Sequence, residues 1–142
     1  IRFKVIGDRE KLDADIVELI EVAEELTKEN CDLTLTIALS YGGRRAITLA
    51  AKELAYRACK GTIKLDEISE EAFELVLETQ GVPNPDLVIR TSGEKRISNF
   101  LLWECAYSEF VFFDTLWPDF SSEHLTKAVQ EYCNRERRFG AA

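Results

Sequence analysis

Residues 33 to 40, LTLTIALS, alternate without a break. Leu33, Leu35, Ile37 and Leu39 fall on one face, and Thr34, Thr36, Ala38 and Ser40 on the other. A period of two is that of a β-strand. The residues after this strand constrain the chain further. YGGR turns the backbone, its glycines free of Cβ restrictions. From about residue 44 to 59, Ile47, Leu49, Ala50, Leu54 and Ala58 then recur among polar residues as on a helix. The same succession runs through the rest of the chain. RFKVIG reads as a strand ended by Gly7. Residues 13 to 29 read as an amphipathic helix carrying Ile16, Leu19, Ile20, Ala23 and Leu26. SEEAFELVLET is a short helix, GVPNP a turn, and DLVIRT a strand. A helix is expected over about 99–107, a strand at FVFFD, a Pro turn at LWPDF and a last helix over 122–136. Strands separated by helices close through right-handed crossovers into parallel pairs. The expected fold class is therefore α/β, a parallel central sheet flanked by helices.

Composition narrows the function. At 142 residues the chain suffices for one core. A net charge of −8 argues against a broad nucleic-acid surface. Apolar runs of about four residues are too short to span a bilayer, and the start IRFKVIGDRE has no apolar leader. Cys31, Cys59, Cys105 and Cys133 form no CxxC pair, which points away from zinc or a disulfide framework and toward a reducing cytoplasm. The single histidine, His124, reads as a surface residue in a first helical turn. The absence of methionine suggests a fragment or a processed chain.

Against that acidic background, residues 85 to 114 stand out. The strand Leu87-Val88-Ile89 runs into Arg90, followed by Thr91, Ser92, Gly93, Glu94, Lys95, Arg96 and Ser98. Ligands of open parallel sheets sit beyond the carboxyl ends of the strands. Guanidinium groups match phosphate oxygens bidentately, and a helix opening near Ser98 would add unpaired N–H groups. The loop reads as a phosphate or diphosphate pocket, or else as a solvated loop with Ser98 as a plain helix cap. No GxxxxGK[ST] or GxGxxG occurs. Glu109 faces either a divalent cation bridging it to a diphosphate or a salt bridge to a nearby arginine.

Five stretches, in order along the whole chain, resemble the cis-prenyltransferase family, undecaprenyl diphosphate synthase type: VIGD, LTIALSYGGRRAI, PDLVIRTSGEKRISNFLLWECAYSEF, LWPDF and RERRFG. The resemblance implies that residues 1–142 are the C-terminal portion of a single catalytic domain, with an N-terminal strand and helices lying upstream. It implies a prenyltransferase that condenses isopentenyl diphosphate with an allylic diphosphate such as farnesyl diphosphate. The product it implies is a long cis-polyprenyl diphosphate, of the undecaprenyl kind that serves as a cell-wall lipid carrier precursor. Arg90, Lys95, Arg96, Ile97 and Ser98 would hold isopentenyl diphosphate, and Glu109 would help bind Mg²⁺. Arg138-Phe139-Gly140 would reach a partner subunit's site in a homodimer, and Leu33 would floor the tunnel for the growing chain. Leu33 can equally be ordinary core on its strand's apolar face.

Two departures from the family pattern stand out: Lys95 replaces a common His, and Ser40 a common Asn. The family's Asp-Gly-Asn motif, which carries its main catalytic Asp, does not occur in this sequence. The chain by itself is therefore expected to hold only the isopentenyl half-site and not to turn over. The whole protein is expected in the cytoplasm, peripheral at the membrane that receives its product. The alternative from another class is a non-catalytic partner subunit of a heteromeric enzyme.

Overall fold

The computed structural model describes residues 1–135. In chain order its elements are β1 (Arg2–Gly7), α1 (Ala14–Thr27), β2 (Thr34–Leu39), α2 (Gly43–Cys59), α3 (Glu70–Glu74), β3 (Leu87–Arg90), β4 (Glu109–Phe112) and α4 (Ser122–Cys133). Short 3-10 turns occur at Arg9–Lys11, Leu65–Glu67 and Trp117–Asp119. The chain divides into two compact units, Ile1–Val82 and Pro83–Ala142. Each unit carries one two-stranded parallel sheet, β1 with β2 in the first and β3 with β4 in the second. The α/β class with parallel pairing expected from the strand–helix succession is what the structure shows.

In the first unit Arg2 pairs with Thr34 and the register runs to Gly7 opposite Leu39. Val5, Ile6, Ile20, Ala46, Ala50, Leu54 and Leu77 are buried there. The inward stripe of α2 is Gly43, Ala46, Ala50 and Leu54, the first three small enough to let the helix lie close to its neighbours.

The inward stripe of α1 corrects the sequence reading. Ile16, Leu19 and Leu26 are exposed, and of that apolar set only Ile20 is fully buried. The less exposed residues are Val17, Ile20, Ala23, Glu24 and Thr27. Two polar members of that stripe have a specific task. Phe3 N–H donates to Thr27 Oγ1 at 3.0 Å and Val5 N–H to Glu24 Oε1 at 2.8 Å. These are outward-facing donors of β1, on the side away from β2, and an unmet donor there costs on the order of 1–3 kcal/mol if buried. Glu24 also takes Arg9 through both oxygens, at 2.7 and 2.8 Å. Burial resists its ionisation, but the Arg9 guanidinium and the Val5 N–H outweigh that and hold its carboxyl below the usual glutamate range.

At the carboxyl ends of β1 and β2 the backbone turns sharply. Gly7 has φ +118°, and Ser40 also adopts a positive φ. The buried Asp8 lies 3.2 Å from Arg45 and 3.5 Å from Lys11. Arg45 reaches on to Glu78 at 2.6 Å. One guanidinium thus ties the end of β1 and the start of α2 to the segment after α3.

The apolar face of β2 also differs from its simplest reading. Leu33, Leu35 and Ile37 are 58%, 48% and 38% exposed. Leu33 is therefore not packed as ordinary core in this chain.

Candidate functional site

The second unit contains the basic loop. Leu87 pairs with Glu109 and Arg90 with Phe112, so Arg90 ends its strand beside the end of β4. The loop then stays strapped to the chain that follows β4. Phe113 N–H donates to the Arg90 carbonyl at 2.9 Å, Ser92 N–H to the Thr115 carbonyl at 2.8 Å, and Gly93 N–H to the Phe113 carbonyl at 2.9 Å. Gly93 sits at φ +68°, and a β-carbon there would stand 3.3 Å from Asp114 Oδ1. Glycine suits both the left-handed backbone and the close approach.

No α-helix forms over 99–107, contrary to the sequence reading. Ser98, Asn99 and Leu101 all have positive φ, a conformation that L residues visit singly and that an α-helix does not accommodate. Isolated turns replace it: Phe100 N–H bonds the Ile97 carbonyl, Cys105 N–H the Leu101 carbonyl and Ser108 N–H the Cys105 carbonyl. Ser98 is exposed and caps no helix. The helix-dipole contribution to anion binding falls away, and the loop's positive potential comes from side chains.

Those side chains border a cleft of about 240 Å³. Val88, Ile89, Ile97, Phe100 and Phe110 give it an apolar body, and Arg90 and Arg96 supply its charge. An Arg90 Nη1 donor meets the Arg96 carbonyl, closing the loop on itself, and the Arg96 guanidinium pairs with Glu94. The exposed Lys95 and Ser98 do not line the cleft, whereas Arg90, Arg96 and Ile97 do. A ligand that fits this chemistry carries an anionic head for the guanidiniums and a short apolar body. A larger hollow of about 430 Å³ lies along α1 and β1, but its charges largely answer one another, as in Arg9 with Glu24 and Lys28 with Glu25.

Glu109 opens β4, and its Oε2 accepts from Arg135 Nη1 at 2.7 Å. The same guanidinium pairs with Glu131 on α4. The hydrogen bond that Arg135 donates to Glu109, followed by the one it donates to Glu131, raises the Arg135 pKa above its ordinary value. The salt bridge to a nearby arginine that the sequence allowed for Glu109 is thus present, with Arg135; the part of Glu131 and the pairing of Glu94 with Arg96 were not foreseen. The i, i+4 spacing of Glu131 and Arg135 was the available signal. Among the described residues no group of three or more His, Cys, Asp or Glu gathers as a metal site. Glu109 is one carboxylate with an oxygen taken by Arg135; it does not line the cleft, and its register position opposite Leu87 puts it on the sheet face away from Arg90, so these residues by themselves do not fit Mg²⁺.

His124 is half-buried, which departs from the surface reading. Its ring lies 5.6 Å from that of Phe113 and 5.5 Å from that of Phe120. Nδ1 accepts from Ser121 N–H at 3.1 Å, and Nε2 lies 3.1 Å from Thr115 Oγ1. It anchors the start of α4 and stands outside the cleft lining. The Arg138-Phe139-Gly140 tail lies outside the described residues. No helix among the described residues is long and apolar enough to cross a membrane.

Comparison with known proteins agrees with the geometry. Residues 1–140 match the family described as "Putative undecaprenyl diphosphate synthase". An isoprenyl transferase of Caulobacter vibrioides is 49% identical over 140 residues, covering 99% of this chain and 54% of its own length. A ditrans,polycis-undecaprenyl-diphosphate synthase, (2E,6E)-farnesyl-diphosphate specific, of Micrococcus luteus is 49% identical, covering 99% of this chain and 56% of its own. Among solved structures, lavandulyl diphosphate synthase of Lavandula x intermedia, in complex with dimethylallyl diphosphate, superposes with a TM-score of 0.95. It is 38% identical, and the match covers 98% of this chain and 60% of that one. The chain thus spans little more than half the length of the curated relatives it matches. By sequence and by structure alike, the chain belongs to the undecaprenyl diphosphate synthase family of cis-prenyltransferases.

Proposed function

We propose that the whole protein is a cis-prenyltransferase that adds isopentenyl diphosphate to an allylic diphosphate such as farnesyl diphosphate. Residues 1–142 are read as the C-terminal portion of its single catalytic domain, the part holding isopentenyl diphosphate. The observation that carries this reading is the cleft with an apolar body and Arg90 and Arg96 on its lining. The guanidiniums take the diphosphate through charge-assisted hydrogen bonds. The apolar walls take the five-carbon tail and fix where its double bond points. Lys95, the Ile97 backbone and Ser98 would complete the diphosphate's shell in the whole protein.

In the reaction the allylic carbon–oxygen bond breaks and diphosphate departs. The isopentenyl double bond forms the new carbon–carbon bond, and a proton is lost from the isopentenyl unit. This chain's share is positional: holding one reactant at a fixed orientation removes much of the entropic barrier, and fixed cationic groups favour the charge distribution of the transition state. Mg²⁺ belongs to this reading only in the whole protein, where Glu109 would help hold it and it would supply charge neutralisation. Residues 1–142 alone lack an Asp-Gly-Asn motif and do not turn over in this reading.

The product is a long cis-polyprenyl diphosphate of the undecaprenyl class, made in the cytoplasm at the membrane surface. Leu33 floors the tunnel, and the protein is a homodimer in which Arg138-Phe139-Gly140 completes a neighbour's site. Radiolabelled isopentenyl diphosphate with farnesyl diphosphate tests the activity, expected as long labelled chains in the whole protein. A folded protein that makes none favours the non-catalytic partner subunit. Mixing a tail-deleted subunit with an Arg96→Ala subunit tests the tail. Activity returns if the tail acts across the dimer and stays absent if it acts within one subunit.

A further inference from the structure

The shape of the basic loop is imposed from outside it. Ser92 and Gly93 are successive residues at φ +67° and +68°. A non-glycine residue such as Ser92 stays in that region only where its surroundings hold it. The segment after β4 does the holding. Phe113 N–H donates to the Arg90 carbonyl at 2.9 Å, Ser92 N–H to the Thr115 carbonyl at 2.8 Å and Gly93 N–H to the Phe113 carbonyl at 2.9 Å. Where Phe113 and Thr115 lie therefore sets where the loop lies, and with it the two guanidiniums of the cleft. We propose that His124 is a positioning residue for this loop, pinning Thr115 by a hydrogen bond and Phe113 by its ring. The inference rests on the proposed reading of the loop as the holder of isopentenyl diphosphate.

His124 is the third residue of α4 and reaches both residues at once. Its Nδ1 accepts from Ser121 N–H at 3.1 Å, so the neutral ring carries its proton on Nε2 and donates it to Thr115 Oγ1 at 3.1 Å. The ring meets Phe113 edge-on, with centroids 5.6 Å apart and planes at 86°. On its other contact it stacks with Phe120 at 5.5 Å and 27°, and Phe120 stacks in turn with Trp117 at 5.7 Å and 14°. A cap for α4 needs one acceptor at this third position, which Glu or Gln ordinarily supplies. The imidazole supplies that acceptor with one nitrogen and crosses to Thr115 with the other.

The contacts form one path, from α4 through His124 to Thr115 and Phe113, and from their backbone to Ser92 and Gly93. His124 itself stands outside the cleft lining. It acts on the ligand only through the loop. Without the pin, the loop must be ordered when the anion binds, and that ordering is subtracted from affinity although no charge has been removed.

Amide hydrogen exchange at Ser92 and Gly93, and calorimetric titration of isopentenyl diphosphate, are measured on the whole protein. Thr115→Val removes the partner of Nε2 and leaves the cap of α4 in place. His124→Phe keeps a ring against Phe113 and Phe120 and removes both hydrogen bonds. Each is expected to speed exchange of the two loop amides roughly two- to tenfold and to weaken isopentenyl diphosphate binding on the same scale, that of one hydrogen bond. The double variant matches His124→Phe within about twofold, because the two residues share one interaction. In Thr115→Val the first-turn amides of α4 keep their wild-type rates, which separates the role from helix capping. If His124→Phe fails to fold, Thr115→Val carries the test. Unchanged loop exchange in Thr115→Val, or effects that multiply in the double variant, overturns the role of His124. Arg96→Ala serves as the control. If it weakens binding while Thr115→Val does not, the role of His124 alone is overturned. If Arg96→Ala also binds unchanged, the isopentenyl diphosphate reading of the loop falls, and the role of His124 in binding falls with it.

Discussion

A β-carbon on Gly7 would stand 1.9 Å from the carbonyl oxygen of Leu39, its register partner on β2. The obstacle is backbone, which cannot swing aside, and Gly7 also sits at φ +118°. Gly7→Ala is expected to destabilise the first unit by more than about 2 kcal/mol, combining left-handed strain with a steric shift of β2. Urea denaturation measures it. A loss within experimental error of wild type would show that the end of β1 relaxes freely.

Glu24 gives a pH signature. Its folded pKa lies below the ordinary value, so its stabilisation is fully present above the unfolded pKa and is lost as pH falls through the lowered folded value. Glu24→Gln is therefore expected to be less stable than wild type near about pH 7, with the difference closing between roughly pH 5 and 2. Thermal melts of both proteins across that range check it. A gap that stays constant down to low pH would assign the loss to packing and not to the charge held by Arg9 and the Val5 N–H.

Leu33 is more than half exposed, so the cost of about 2–5 kcal/mol expected for truncating a packed core leucine does not apply to this chain. Leu33 begins the approach to β2 and Ser40 follows its end, a run of roughly 20 Å or more at about 3.3 Å per residue. In the proposed reading Leu33 floors the product tunnel. Leu33→Ala in the whole protein is expected to fold with a stability change of about 1 kcal/mol or less and to make longer chains. Product chromatography with labelled isopentenyl diphosphate reads the length, and an unchanged distribution from an active mutant would reject the floor role.

The strand–helix succession was legible because periodicity reports burial directly, and LTLTIALS and LVIR both became parallel strands. The stripe on α1 was not, because Glu24 and Thr27 face β1 as hydrogen-bond acceptors while Leu19 and Leu26 are exposed; polarity patterns cannot separate a polar residue facing water from one facing an edge. The segment 99–107 has helical composition, yet the positive φ values at Ser98, Asn99 and Leu101 come from how the loop closes, with Arg90 on the Arg96 carbonyl. That closure is a tertiary fact with no local signature. The arginines of the site were legible as charge in an acidic chain. The pairing of Arg96 with Glu94 and the identity of Arg135 as the partner of Glu109 were not, because ion pairing depends on where a loop and a helix end finally lie.

The central claim is that Arg90 and Arg96 hold isopentenyl diphosphate in the cleft of the second unit. Steady-state kinetics of the whole protein with isopentenyl diphosphate varied, for Arg90→Ala and Arg96→Ala, test it most directly. Each substitution removes charge-assisted contacts of about 1.5–3 kcal/mol, so kcat/KM for that substrate should fall roughly ten- to a hundredfold while both proteins stay folded. Unchanged kcat/KM in both variants would contradict the account.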